Sequence, residues 1–253
     1  MSKPLPKRVT KQVLDCLHDD GVTPPVVRFL SDHFDQYDDH LLMLRQIFIL
    51  DQLDRDRVGR DAWSQGQLRS KHWLLSELGK FNLSLGTIWI ACGWIGTLAL
   101  MMQCYRPKLR LQMIRSFDID DRCALLADTL NKPWVLDDWR FKASTLDVCA
   151  FGYSDFEYDT VRYDGSVAPL IETPDTIINT SCEHLHDFDD WFSRIPNGRL
   201  VILQCSSHES HDGHVNSMQT VYDLAARTRC SRVFFKGTLD CGDYLRHMLI
   251  GRK

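Results

Sequence analysis

From residue 87 onward the chain alternates short, continuous apolar runs with amphipathic stretches, whereas residues up to about 80 carry a helical period without a strand signal. Seven runs read as strands: residues 87–91, 111–117, 134–141, 175–179, 199–205, 231–236 and 244–250. Helical stretches at 97–104, 122–130, 188–195 and 215–228 follow the first, second, fourth and fifth of these and supply crossovers. The last two runs are separated only by a short polar stretch with Gly237, Gly242 and Asp243, which is too short for a crossover and predicts an antiparallel hairpin. A further hairpin is expected over 158–170 around Asp164-Gly165. In the first part of the chain, Thr23-Pro24-Pro25 opens a helix through 26–30, residues 41–53 form a second, and a polar loop from Ser64 feeds an amphipathic helix ending before the first strand. The pattern predicts an α/β fold: a seven-stranded, mostly parallel, Rossmann-like sheet ending in an antiparallel hairpin. Residues 1–80 read as an N-terminal helical cap and 81–253 as the sheet domain.

Composition narrows the picture modestly. With 44% hydrophobic and 25% charged residues among 253, the chain has the make-up of a soluble globular protein with ample material for a core. A net charge of -4 disfavours a broad nucleic-acid footprint, so nucleic acid is not an expected partner. The nine cysteines are scattered and never in a Cys-x-x-Cys pair, which fits buried thiols in a reducing compartment. No apolar leader opens the sequence and no apolar run spans a bilayer, so a cytoplasmic location without a membrane partner is expected.

The chemistry begins where the run Thr87-Ile88-Trp89-Ile90-Ala91 breaks into Cys92-Gly93-Trp94-Ile95-Gly96, with a second strand ending in Asp118 further on. This is the pattern of a mononucleotide-binding βαβ unit: the glycines permit a sharp turn, and an acid ending the neighbouring parallel strand suits a ribose diol. Only G-x-x-G is present, with bulky residues between, so a nucleoside without pyrophosphate fits better than a dinucleotide.

Seven strands closing on an antiparallel hairpin, with a glycine loop after the first and an acid ending the second, resemble the class I S-adenosylmethionine-dependent methyltransferase fold over roughly residues 87–253. The resemblance implies S-adenosylmethionine as cofactor, with Cys92, Gly93 and Gly96 against its methionine part, Asp118 on the ribose and Asp147 at the adenine amine. It also places Asn179, at the end of the fourth strand, toward the reaction. The chain departs from that family at the first strand's end, where no acid stands, and it lacks the Asn-Pro-Pro-aromatic motif of base N-methylating enzymes.

After the fourth strand, Asn179-Thr180-Ser181-Cys182-Glu183-His184 releases polar side chains in succession at the sheet edge where ligands bind. Asn179, Glu183 and His184 are the candidate catalytic residues, with capping of the following helix as the alternative role for the block. Ser181, His208, His214 and Asn216 are candidates for substrate binding. The histidines of 204–216 lack the register and partner pattern of the usual zinc sites, so no metal is expected. Lys71 is a candidate for the cofactor carboxylate, while Trp73, Trp94, Trp139 and Trp191 read as core. The expected function is methyl transfer to a small molecule. Two alternatives are attack on the aminocarboxypropyl group with release of methylthioadenosine, and a nucleoside-binding scaffold without turnover.

Overall fold

The computed structural model describes residues 49–253 except 51, 52, 57, 60, 105–108, 163 and 212. The helix expected at 26–30 lies outside the described residues, and the one at 41–53 reaches them only at 49, 50 and 53. Helix α1 (Gln65–Leu78) leads into β1 (Ser84–Ala91), α2 (Thr97–Cys104), β2 (Arg110–Asp118), α3 (Asp121–Leu130), α4 (Lys132–Leu136) and β3 (Phe141–Thr145). A hairpin, β4 (Phe156–Val161) and β5 (Val167–Glu172), precedes β6 (Thr176–Asn179), a 3-10 turn (Cys182–His184), α5 (Phe188–Ser193) and β7 (Leu200–Ser206). Helix α6 (Val221–Thr228) and the strands β8 (Arg232–Asp240) and β9 (Leu245–Arg252) complete the chain.

The main sheet has the order β3-β2-β1-β6-β7-β9-β8, parallel except for β9, which runs antiparallel to both neighbours. Strand alternation divides its side chains between two cores. Ile88, Ile90, Ile114, Ile178, Ile202, Met248 and Ile250 share one face with α1, α2 and α3. On the other, Trp89, Ala91, Phe117, Ile177, Val201, Leu203 and Leu249 meet α5, α6 and the rings of Tyr153 and Tyr158. Burial on both faces explains the unbroken apolar runs in the sequence. Hairpin β4–β5 forms a separate sheet tied to the main one by Arg115, whose Nη2 and Nε donate to Glu172 at 2.6 and 2.9 Å. Among the described residues no helix is long and apolar enough to cross a membrane.

Three local expectations are corrected. The run 134–141 is not a strand: Pro133 sits in the first turn of α4, Asp138 and Trp139 turn the chain with φ of 49° and 52°, and β3 starts only at Phe141. The helix expected over 215–228 starts at Val221, because Thr220 and Asp223 close a reciprocal capping box there. The polar run after Ser64 is helix rather than loop, with Ser64 as N-cap of α1. This helix buries Leu68, Leu74, Leu75 and Leu78 in the same core as β1, and its Ser70 carbonyl accepts a hydrogen bond from Gln204 on β7 at 3.0 Å.

Candidate functional site

The carboxyl ends of β1, β2, β3 and β6 lie side by side, which gathers residues far apart in sequence at one sheet edge. The loop after β1 is held by the end of β2. Gly93 donates its N–H to the Phe117 carbonyl at 2.9 Å, and the Trp94 N–H donates to Asp118 Oδ2 at 2.8 Å. Asp118 Oδ1 accepts the Asp120 N–H at 3.1 Å. Burial pushes the Asp118 carboxyl above the usual carboxylate range, and these backbone donors pull it back down. Each oxygen keeps a second lone pair for a hydroxyl donor.

Both glycines also serve packing within the fold. A Cβ on Gly93 would stand 2.0 Å from Ser116 Oγ, so this glycine lets the loop lie against β2. Gly96 has φ +76° and packs on α3, where a Cβ would meet Asn131 Nδ2 at 2.7 Å and Ala127 at 3.1 Å. Further left-handed turns fall on either side of Gly93, on Cys92 (φ 54°) and Trp94 (φ 49°), which carry side chains and therefore store strain. Asp147 is exposed after β3, its Oδ1 accepting the Cys149 N–H at 2.9 Å, and the neighbouring Leu146 N–H reaches the Asp118 carbonyl at 2.9 Å.

On the other side of the β1 end, Asn179 is fully buried; its Oδ1 accepts the Ser181 N–H at 2.7 Å and its amide approaches Cys92 Sγ at 4.0 Å. Burial raises the Cys92 thiol far above its ordinary value, which keeps it protonated. Glu183 is buried and held at both oxygens: Oε1 accepts from Arg246 Nη1 at 2.5 Å and Oε2 from the Ser206 N–H at 3.2 Å. Its backbone carbonyl receives the N–H groups of Val215 and Asn216, which draws the histidine loop over the β6 end. His214 Nε2 lies 4.0 Å from Glu183 Oε1, and its Nδ1 meets the His208 carbonyl at 2.5 Å. His184 Nδ1 meets the Gly213 carbonyl at 2.9 Å, and His208 stacks on Tyr244. Asn216 spends its amide on the carbonyls of Leu185 and His186 and accepts from Arg227 at 3.1 Å, so it fastens the loop.

Lys71 reaches this edge from α1. It is buried, donates to Gln67 Oε1 at 2.5 Å, and its pKa falls to about 7, chiefly by burial and then by the nearby Arg246, against the opposing pull of Asp61 and Glu183. Lys71 and the Arg246–Glu183 pair thus share one buried region of the site. Arg246 Nε and Gln204 Oε1 are both buried and have no hydrogen-bond partner among the described residues.

No protein-family model matches the sequence, and no curated protein is a significant match. Solved structures do match. The N-methyltransferase NodS from Bradyrhizobium japonicum WM9, in complex with S-adenosyl-L-homocysteine, aligns with a TM-score of 0.51 at 12% identity over 82% of this chain and 98% of that one. The magnesium protoporphyrin IX methyltransferase ChlM from Synechocystis PCC 6803, also with S-adenosylhomocysteine bound, aligns with a TM-score of 0.51 at 11% identity over 82% and 99%. The small RNA methyltransferase HEN1 aligns with a TM-score of 0.50 at 13% identity over 73% of this chain and 25% of that chain. The fold is that of the class I S-adenosylmethionine-dependent methyltransferases.

On this class I sheet, Cys92, Gly93, Gly96, Asp118 and Asp147 gather at the ends of β1 to β3. Asn179, Ser181, Glu183, His184, His208 and His214 gather beyond β6 and β7. Arg246 was missed in the sequence. Its signal is an arginine two residues ahead of the apolar run Met248-Leu249-Ile250 in the final strand, opposite Ser206 in the β7–β9 register. A charge that the strand buries needs a partner, and Glu183 is that partner.

Proposed function

We propose that this chain binds S-adenosylmethionine and transfers its methyl group to a small-molecule acceptor. The observation that carries the reading is Asp118, which ends β2 in a class I methyltransferase fold and ties its carboxylate to the loop after β1 through the Trp94 N–H. That leaves a carboxylate, backed by two backbone donors, where a ribose diol can donate to it. Asp147 then serves the adenine amine, Cys92, Gly93 and Gly96 shape the wall beside the methionine part, and Lys71 pairs with the carboxylate. The buried cation pair Lys71 and Arg246, offset by Glu183, makes that end of the site receptive to an anion. The cofactor, when bound, supplies an already activated methyl on a sulfonium. The chain's own work is therefore alignment. Asn179, locked by the Ser181 N–H, positions the acceptor side; Glu183, held by Arg246, fixes the histidine loop; His184, with Nδ1 on a carbonyl, keeps Nε2 available to an acceptor proton. ChlM is named for magnesium protoporphyrin IX, a small molecule, and HEN1 for small RNA; the net charge of -4 favours the small molecule. A cytoplasmic enzyme in which residues 1–80 act as a helical cap remains part of this proposal.

A second reading keeps the cofactor and moves the attack to its aminocarboxypropyl carbon. It is favoured by the β1 end, where the chain has Cys92 and no carboxylate. Product analysis by mass spectrometry after incubation with S-adenosylmethionine and a panel of amines, phenols and carboxylic acids separates the two. Methyl transfer leaves S-adenosylhomocysteine; the alternative leaves methylthioadenosine. Neither product above a protein-free control would refute both.

A further inference from the structure

The geometry points to a divalent transition-metal site formed by Glu183, His184 and His214. One ligand atom from each residue lies within 4.8 Å of the others. Both imidazoles are oriented in the same manner. His184 Nδ1 faces the Gly213 carbonyl at 2.9 Å and His214 Nδ1 the His208 carbonyl at 2.5 Å. A carbonyl only accepts, so each Nδ1 carries the proton and each Nε2 presents its lone pair. The rings meet edge to face with centroids 4.8 Å apart, and His214 Nε2 is 4.0 Å from Glu183 Oε1.

Every one of the three ligands thus has an outer partner that fixes its direction, as metal-binding side chains usually do. For Glu183 the partners are Arg246 and the Ser206 N–H, and they leave further lone pairs on the carboxylate. Two imidazoles with one carboxylate suit Zn²⁺, Co²⁺ or Mn²⁺, while Mg²⁺ prefers oxygen donors throughout. Binding would draw the ligand atoms closer, and His184, exposed on its 3-10 turn, is the one least confined by packing. Three protein ligands leave a coordination position open, as in catalytic rather than structural sites. With the ion bound, His184 Nε2 is a ligand rather than a proton acceptor, and under the proposed methyl transfer the open position would orient an acceptor oxygen or amine and favour loss of its proton. Metal binding itself does not rest on that reading.

The test uses the full chain, stripped with a chelator and kept free of cofactor, titrated with Zn²⁺ by calorimetry and with Co²⁺ by visible absorption. One ion per chain is expected, with ligand-field bands of a low-symmetry Co²⁺ site. His184→Asn and His214→Asn should each lower the affinity at least about tenfold. His186→Asn, an exposed neighbour outside the cluster, should bind like the wild type. Circular dichroism establishes that each variant is folded. Absence of saturable binding to the wild type, or wild-type affinity in either ligand variant, would overturn the proposal.

Discussion

Replacing Lys71 with methionine should make the chain more stable while impairing its function. In the folded protein the ammonium is buried and its pKa falls from 10.5 to about 7. Because the folded value is depressed, the unfolded chain binds more protons between these limits. Stability therefore drops as pH falls from about 10.5 to about 7, and the full penalty persists below. At about 1.36 kcal/mol per pH unit, the interval amounts to about 4 kcal/mol at pH 7. Methionine matches the slot in length, removes the charge beside Arg246 and leaves Gln67 half-buried, where water can satisfy it. Urea unfolding of both proteins at about pH 7 and about pH 10 checks this. The variant should lead by up to about 4 kcal/mol at neutral pH, with the lead shrinking at alkaline pH. Comparing the two proteins removes the contribution of the buried cysteines and tyrosines, which titrate in the same alkaline range. A variant less stable at neutral pH, or a gap independent of pH, would refute the reasoning. The same variant should bind S-adenosylmethionine more weakly, since a costly buried cation is retained for its anion.

Removing Arg246 should have the opposite effect on stability: Arg246→Met strands the buried Glu183 carboxylate and should cost about 3–5 kcal/mol. Adding Glu183→Gln should recover much of it, measured as a denaturation cycle. Gly93→Ala should cost about 1–3 kcal/mol by forcing its Cβ onto Ser116 Oγ, and Ser116→Ala should relieve the clash in differential scanning calorimetry. Asp118→Ala should weaken cofactor binding by about 1–3 kcal/mol through loss of a charged acceptor and release of the Trp94 N–H.

The sheet was legible because both its faces are buried, so its strands carry near-continuous apolar runs such as 88–91 and 200–203. Asp118 was legible because the βαβ pattern fixes where an acid must stand. Local reading failed where chain turns depended on unusual backbone. Asp138 and Trp139 adopt positive φ between α4 and β3, which no glycine announces. It failed also for interactions of long sequence separation. Glu183 and Arg246 are 63 residues apart, and only the β7–β9 register brings Arg246 beside Ser206 and hence to Glu183. The histidines read as a scattered loop, because nothing in their spacing tells that the Val215 and Asn216 N–H groups dock on the Glu183 carbonyl. Lys71 was singled out for its charge, but its burial depends on how α1 lies over β7.

The central claim is that the edge formed by the Cys92–Gly96 loop and Asp118 holds S-adenosylmethionine. Calorimetric titration of S-adenosylhomocysteine into wild type and Asp118→Ala, each shown to be folded, tests it most directly. Stoichiometric binding to the wild type, weakened about tenfold or more in the variant, is predicted. No binding to the wild type, or equal affinity in both proteins, would contradict it.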